Sequence, residues 1–117
     1  CPAIGVFCSA LTGKLNDPWV KKGVGEINNY DIREIDNYYA IYYINLALFQ
    51  IGGRVWEDWN QDFRTTIVDK QNEDGSFKQM GNKYEKDLNL IYTTAMGVLS
   101  LEVYYRYLPL YQLVEKK

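Results

Sequence analysis

Long apolar runs alternate along this chain with segments in which apolar residues recur every three or four positions. The runs are Ala3–Leu11, Tyr38–Ile51 and Leu88–Tyr105, and the segments with one apolar stripe are 18–28 and Val55–Gln71. A helix that is apolar on all sides is buried, whereas a helix with a single stripe lies on the surface. The alternation therefore predicts an all-α fold of five helices in two layers, with the first, third and fifth helices inside.

Turn and capping residues separate the five segments. Gly13 and Gly53 follow the first and third segments, and glycine is the residue that most often ends a helix. Asp17-Pro18 opens the second segment with an N-cap residue and a proline in the first turn, and Asp36 is the expected cap of the third. We expect Gly13, Gly53 and the pair Asp74-Gly75 to lie in loops, and we expect no β-sheet.

A glycine followed by tryptophan after six residues and by isoleucine after fourteen occurs twice in the chain. The two copies are Gly13, Trp19 and Ile27, and Gly53, Trp59 and Ile67. An internal repeat of about 40 residues is typical of stacked or ring-forming helical hairpins. The 117 residues are therefore expected to form a single α/α repeat domain with units at about 1–28, 37–71 and 88–107.

The loop between the fourth and fifth segments contains a motif. Gln71, Asp74, Gly75 and Phe77 in QNEDGSF resemble the Gln-x-x-x-Gly-x-Trp/Phe (QW) motif of the squalene cyclase and protein prenyltransferase repeat superfamily. The stretches ALFQIGGRVWEDWN and YTTAMGVLSLEVYYRYLPLYQ are similar to its repeat units, most of all to those of uncharacterised bacterial prenyltransferase/squalene-oxidase-repeat proteins. The resemblance implies an α/α toroid (terpenoid cyclase/prenyltransferase-like) of alternating inner and outer helices, of which this chain is the later part. It also implies that the glutamine ties one helix end to the next helix start, with the aromatic ring stacked beside it.

The residues of this loop have a structural interpretation of their own. Gln71 ends the fourth segment, where its amide can satisfy free backbone groups, and Asp74-Gly75 is a turn pair. A calcium loop is excluded, because aligning Gly75 with loop position six puts Lys70 and Gly81 where carboxylates are required. We therefore expect a structural loop whose Phe77 returns to the apolar layer.

Catalytic chemistry is limited by the residues that the chain lacks. The absence of histidine removes imidazole zinc sites and Ser-His triads. The catalytic branches of the superfamily need an Asp-x-Asp-Asp acid, a zinc site with histidine, or a Gly-Cys-Gly-Glu-Gln thioester run, and none of these occurs in the sequence. We expect no catalytic residue, metal or cofactor, and a role as a scaffold or binding surface in a larger bacterial protein. The alternative is part of a squalene-type cyclase or prenyltransferase-like enzyme whose catalytic residues lie outside this segment.

Four side chains on the apolar helices are candidate cavity or ligand contacts. They are Tyr39, Tyr43, Glu102 and Tyr104. Tyrosine faces attract cations, although the same rings can simply fill helix interfaces. Glu102 needs a partner or a proton if it is buried. Trp56 and Trp59 are interpreted as packing residues, with a carbohydrate- or peptide-binding platform as the alternative.

Charge and hydropathy restrict the partners. A net charge of −2 and a pI near 5.1 give no electrostatic basis for binding nucleic acid. No apolar run reaches the roughly 18 to 20 residues that span a bilayer, so no transmembrane segment is expected. The three inner helices are apolar on more sides than two outer helices can cover. We therefore expect self-association, packing against missing helices of the parent chain, or a bound apolar small molecule.

The two cysteines leave the cellular compartment open. Cys1 and Cys8 are seven residues apart in one predicted helix, which places them roughly 10 Å apart, beyond the limit of about 7 Å for a disulfide. Both are interpreted as small buried apolar residues. The alternative is that Cys1 carries the lipid of an exported bacterial lipoprotein, in which case the protein is extracytoplasmic.

Overall fold

The computed structural model describes residues 2–106, and this part of the chain is helical without a strand. Its elements are α1 (Pro2–Leu11), α2 (Pro18–Asn28), a 3-10 turn (Ile32–Glu34), α3 (Tyr38–Ile51), α4 (Gly53–Asp69), α5 (Lys83–Lys86) and α6 (Leu90–Arg106). The predicted all-α class is confirmed for these residues. α5 is a single turn that the sequence pattern does not predict, and an isolated antiparallel bridge joins Gln71 and Phe77.

α3 lies at the centre of the packing. It contacts both α1 and α6, while α2 packs on α1 and α4 packs on α3. Nine of the fourteen residues of α3 are buried, as expected of a helix that is apolar on most sides. The predicted stripe of α4 is also buried, and consists of Trp56, Trp59, Phe63 and Ile67.

α3 and α6 run in the same direction. Asn45 Nδ2 donates to the Ser100 carbonyl oxygen at 3.0 Å, and four residues further along each helix the rings of Phe49 and Tyr104 lie 6.1 Å apart. The C-terminal halves of the two helices therefore lie at the same end of the molecule, next to the start of α4.

Two predicted helix boundaries are corrected at the ends of α3. The N-cap is Asn37 rather than Asp36, because Asn37 Oδ1 accepts from the Ala40 N–H at 2.7 Å while Asp36 Oδ1 accepts from the Asn37 side chain. At the other end Gly53 is the first residue of α4 and not part of a loop. Gly52 and Gly53 have φ angles of 72° and 61°, so two consecutive left-handed residues reverse the chain without a separate loop.

The fourth and fifth predicted helices are also shorter at their facing ends. α4 ends at Asp69, because the backbone N–H groups of Lys70 and Gln71 donate to carbonyls only three residues back and close the last turn. α6 starts at Leu90 rather than Leu88, since Asn89 Oδ1 accepts from the Ile91 N–H at 3.0 Å in the manner of an N-cap.

The position of Cys8 corrects the interpretation of the cysteines. Cys8 is exposed and not buried, because α1 turns Ala3, Val6 and Ala10 inward and Cys8 lies on another face. Cys1 lies outside the described residues, and so does Tyr107, the last residue of the third expected repeat unit. None of the helices within residues 2–106 combines the length and apolar character needed to cross a membrane.

Candidate functional site

The motif residues form a small hairpin that follows α4. The Lys78 N–H donates to the Lys70 carbonyl at 2.9 Å, and the Asn72 N–H donates to the Ser76 carbonyl at 2.7 Å. Asp74 Oδ1 accepts from both the backbone N–H and the hydroxyl of Ser76. These two hydrogen bonds lower the pKa of Asp74, the hydroxyl bond most. The hairpin is thus closed by its own backbone and by side-chain hydrogen bonds within the loop.

Gln71 has a more local role than the family resemblance implies. Its side chain is exposed, and Nε2 donates to the Gly75 carbonyl at 3.0 Å within the same hairpin. Gly75 has a φ of 91°, a conformation that favours glycine. The glutamine therefore closes the loop on itself instead of tying one helix end to the next helix start.

Phe77 fixes the hairpin to the core. Its side chain is 2% exposed, and its ring lies so close to Gly97 that a Cβ on Gly97 would be 2.9 Å away. The backbone is held as well: its N–H donates to Thr94 Oγ1 at 3.0 Å, and its carbonyl accepts from Thr93 Oγ1 at 2.7 Å. Phe77 therefore returns to the apolar layer, as expected from the sequence.

A second buried contact, which sequence reasoning missed, joins α5 to the start of α3. The Glu85 carboxylate is 2% exposed and accepts from the backbone N–H of Tyr38 at 2.6 Å and of Met80 at 3.3 Å. The first N–H groups of a helix lack internal partners and carry partial positive charge, so a carboxylate is stabilising there. Glu85 therefore caps α3 from a distant part of the chain.

Tyr38 completes this contact. Its hydroxyl donates to the Lys78 carbonyl at 2.7 Å, and its ring meets Phe77 edge-on at 6.4 Å. Burial of the phenol raises the pKa of Tyr38, and the negative charge of Glu85 adds to this shift. Loop, α5 and α3 are thus joined by hydrogen bonds and by one ring contact.

The buried phenol predicts alkaline instability. Unfolded tyrosine ionises near pH 10, whereas the pKa of Tyr38 in the fold is higher, so above about pH 10 the unfolded chain binds fewer protons and stability falls as pH rises. Urea unfolding across the alkaline range should show a steeper loss for the wild type than for Tyr38→Phe. The variant should be less stable by about 1 kcal/mol at neutral pH through the lost hydroxyl bond. Burial also raises the pKa of Tyr43 and of Tyr92, but both tyrosines are present in the two proteins and cannot cause a difference between them. Parallel curves for the wild type and the variant would therefore contradict the prediction.

The four predicted cavity residues do not come together. Tyr39 is exposed and Tyr43 is half-buried, and their rings lie 4.8 Å apart on α3. Tyr104 lies instead beside Phe49 at the other end of α3, and Glu102 is half-buried on α6. The residues therefore do not line a common aromatic cavity.

The two tryptophans have different surroundings. Trp59 is a packing residue, as expected: its Nε1–H donates to Asn45 Oδ1 at 2.6 Å in the core. Trp56 is 7% exposed. Its ring packs edge-on against the ring of Phe49, with the two ring centroids 5.3 Å apart. Trp56 also borders a surface groove.

This groove is the candidate binding site. It has a volume of about 690 Å³ and is lined from α4 by Trp56, Glu57, Asn60, Gln61, Phe63 and Arg64, and from α6 by Leu101, Tyr104 and Tyr105. It forms because α4 and α6 both pack on α3. Tyr104 is the residue of the predicted cavity set that lies here. The sequence did not mark the polar lining residues of α4 as candidate contacts, because this face of α4 has the pattern of a solvated outer helix.

Comparison of the chain with protein-family models, with curated proteins and with solved structures gives no match. Within residues 2–106 no group of three or more His, Cys, Asp or Glu side chains is placed to hold a metal ion. The packing of the described helices and the geometry of the groove are therefore what bears on function.

Proposed function

We propose that this chain is a non-catalytic module of the α/α-toroid repeat type that serves as a scaffold and binding surface in a larger bacterial protein. The observation that carries the proposal is where the exposed large apolar side chains lie. Six of the eleven in the described residues belong to α6 and the turn before it: Leu88, Leu90, Ile91, Val98, Tyr104 and Tyr105. An apolar surface of this kind marks an association site.

The order of helix packing supports the repeat architecture. α1, α3 and α6 pack in succession, α2 covers α1, and α4 covers α3. This is the order expected when each unit supplies one inner and one outer helix. In such arrays each unit buries its apolar face only against the next unit, and the main packing partner of α6 is α3.

The exposed residues of α6 form one stripe. Ile91, Val98 and Tyr105 recur at seven-residue intervals and therefore lie on the same side of the helix. They are 75%, 42% and 85% exposed. A stripe with this spacing is the pattern by which one helix packs along another.

The occupant that we propose for this stripe is a second copy of the chain, bound through its α1. The ten residues of α1 carry no charge, Leu11 is 58% exposed, and Ile4 and Phe7 are only partly buried. Placing α6 of one copy on α1 of the next continues the row of inner helices. A head-to-tail contact of this type is open-ended.

Sedimentation velocity at micromolar concentrations tests the association. The average mass of the wild type should rise with concentration, and Ile91→Lys should lower it to that of a monomer by placing a charge in the contact. Val68→Lys is the matched control, because Val68 is 61% exposed but belongs to α4 and not to the α6 stripe. A wild type that stays monomeric, or an equal effect of both variants, would contradict the proposal.

The enzymatic alternative has less support. A cyclase requires an enclosed apolar cavity lined by aromatic rings, in which a protonated acid can act. Tyr39 is exposed and Tyr43 is half-buried on α3, and Tyr104 borders a groove that neither of them lines. These positions favour the scaffold.

A further inference from the structure

We propose that the groove between α4 and α6 binds a short neutral saccharide. This site goes beyond the proposed scaffold role, and it overlaps the Ile91 stripe at Tyr105 alone. Three features support it: an aromatic floor, a wall of polar side chains, and a size and charge that suit an uncharged polyol.

The aromatic floor of the groove is formed by the lining residues Trp56, Tyr104 and Tyr105, and Phe49 of α3 connects their rings. Trp56 contacts Phe49 at 5.3 Å, Phe49 contacts Tyr104 at 6.1 Å, and Tyr104 contacts Tyr105 at 5.2 Å with the two ring planes perpendicular. Tyr104 and Tyr105 are 58% and 85% exposed. The C–H groups on one side of a pyranose ring form an apolar face that packs against aromatic rings, so the exposed tyrosines provide a stacking surface.

The α4 wall carries the polar groups. Glu57, Asn60, Gln61 and Arg64 border the groove, and their spacing along the helix places them on one side of α4. None of these four side chains has a hydrogen-bond or ion-pair partner among the described residues. Amide, carboxylate and guanidinium groups can each hold two hydrogen bonds in one plane, which suits the adjacent hydroxyls of a sugar.

The same wall disfavours other ligands. A purely apolar molecule would bury these groups without partners, which is costly. The charges of Glu57 and Arg64 are opposite, so the groove gives no advantage to a phosphate or another strongly charged ligand. An extended peptide is usually held through its backbone, but both walls are helices whose backbone groups are already bonded. A saccharide satisfies the aromatic floor and the polar wall together.

Size and chemistry further define the ligand. A volume of about 690 Å³ falls within the range of roughly 300–1,000 Å³ of small-ligand sites, so the groove suits an oligosaccharide better than a single ring. Among the described residues that line the groove, Glu57 is the one carboxylate, whereas glycoside hydrolysis ordinarily uses two. The proposal is therefore binding without cleavage.

Saturation-transfer NMR tests this with maltotriose, cellotriose and triacetylchitotriose as probes. At least one probe should receive saturation on its ring C–H protons and quench tryptophan fluorescence, since Trp56 borders the groove. Tyr104→Ala and Asn60→Ala should each weaken that binding at least fivefold. Tyr39→Ala, at a tyrosine that is 48% exposed on α3, is the matched control and should bind as the wild type does.

Two results would overturn the saccharide site. They are the absence of binding by all three probes at millimolar concentration, and binding that survives both Tyr104→Ala and Asn60→Ala. The measurements are repeated in the Ile91→Lys background. Loss of self-association there, with saccharide binding kept, separates this site from the proposed scaffold contact.

Discussion

Replacing Phe77 by alanine should lower the free energy of unfolding by about 3–5 kcal/mol. The ring is 2% exposed, lies directly against Gly97, and meets Tyr38 edge-on. Because a ring packs onto glycine without any side chain to move into the vacated space, the neighbouring atoms can close the cavity only in part. Urea unfolding followed by circular dichroism measures the loss.

Gln71→Ala is the control for Phe77→Ala within the same hairpin. Its amide is exposed and makes one bond, to Gly75, which water can replace, so the expected loss is only about 0.5–1 kcal/mol. Both variants leave the backbone bonds of Phe77 to Thr93 and Thr94 available. Equal small effects of the two substitutions would mean that the hairpin is not anchored in the core.

The helices themselves could be predicted because their pattern is local. Trp56, Trp59, Phe63 and Ile67 follow the periodicity of one helical face, and all four are buried. The same periodicity does not define helix ends. Whether Asp36 or Asn37 caps α3 depends on which side-chain oxygen reaches the Ala40 N–H, a difference of one residue that composition does not encode.

The buried carboxylate could not be predicted, because its environment is made by distant residues. Glu85 lies in the charged stretch KYEKD, which has the composition of a solvated turn. It is buried because it meets the Tyr38 N–H, 47 residues earlier in the chain. Gln71 illustrates the reverse case, since a residue expected to join two helices is used inside one hairpin.

The groove was only partly accessible to sequence reasoning. Tyr104 is an aromatic residue in an otherwise apolar helix, which marks it as a candidate contact. Asn60 and Arg64 occupy the polar face of α4, and an outer helix is expected to be polar there. What turns this face into the wall of a groove is the packing of α4 and α6 side by side on α3, a tertiary arrangement that no local pattern specifies.

Replacing Asn45 by alanine should lower the free energy of unfolding by about 2–4 kcal/mol. Asn45 is fully buried in the middle of α3, where it accepts from Trp59 Nε1–H at 2.6 Å and donates to the Ser100 carbonyl at 3.0 Å. It thereby joins α4 and α6 to the central helix through one amide. The substitution leaves a cavity and an indole N–H without a partner in the core, and unpaired buried donors carry the full desolvation penalty.

A double-mutant cycle separates these two contributions. Asn45→Leu fills the volume but leaves the Trp59 N–H unpaired, whereas Trp59→Phe removes the donor and leaves the Asn45 oxygen without it. The double variant has neither polar group, so its loss should be smaller than the sum of the single losses by about 1–3 kcal/mol. Ser100→Ala is the control, because Asn45 contacts the Ser100 backbone carbonyl and the Ser100 hydroxyl donates instead to Met96. Additive losses in the cycle would mean that the hydrogen bond between Asn45 and Trp59 does not contribute to stability.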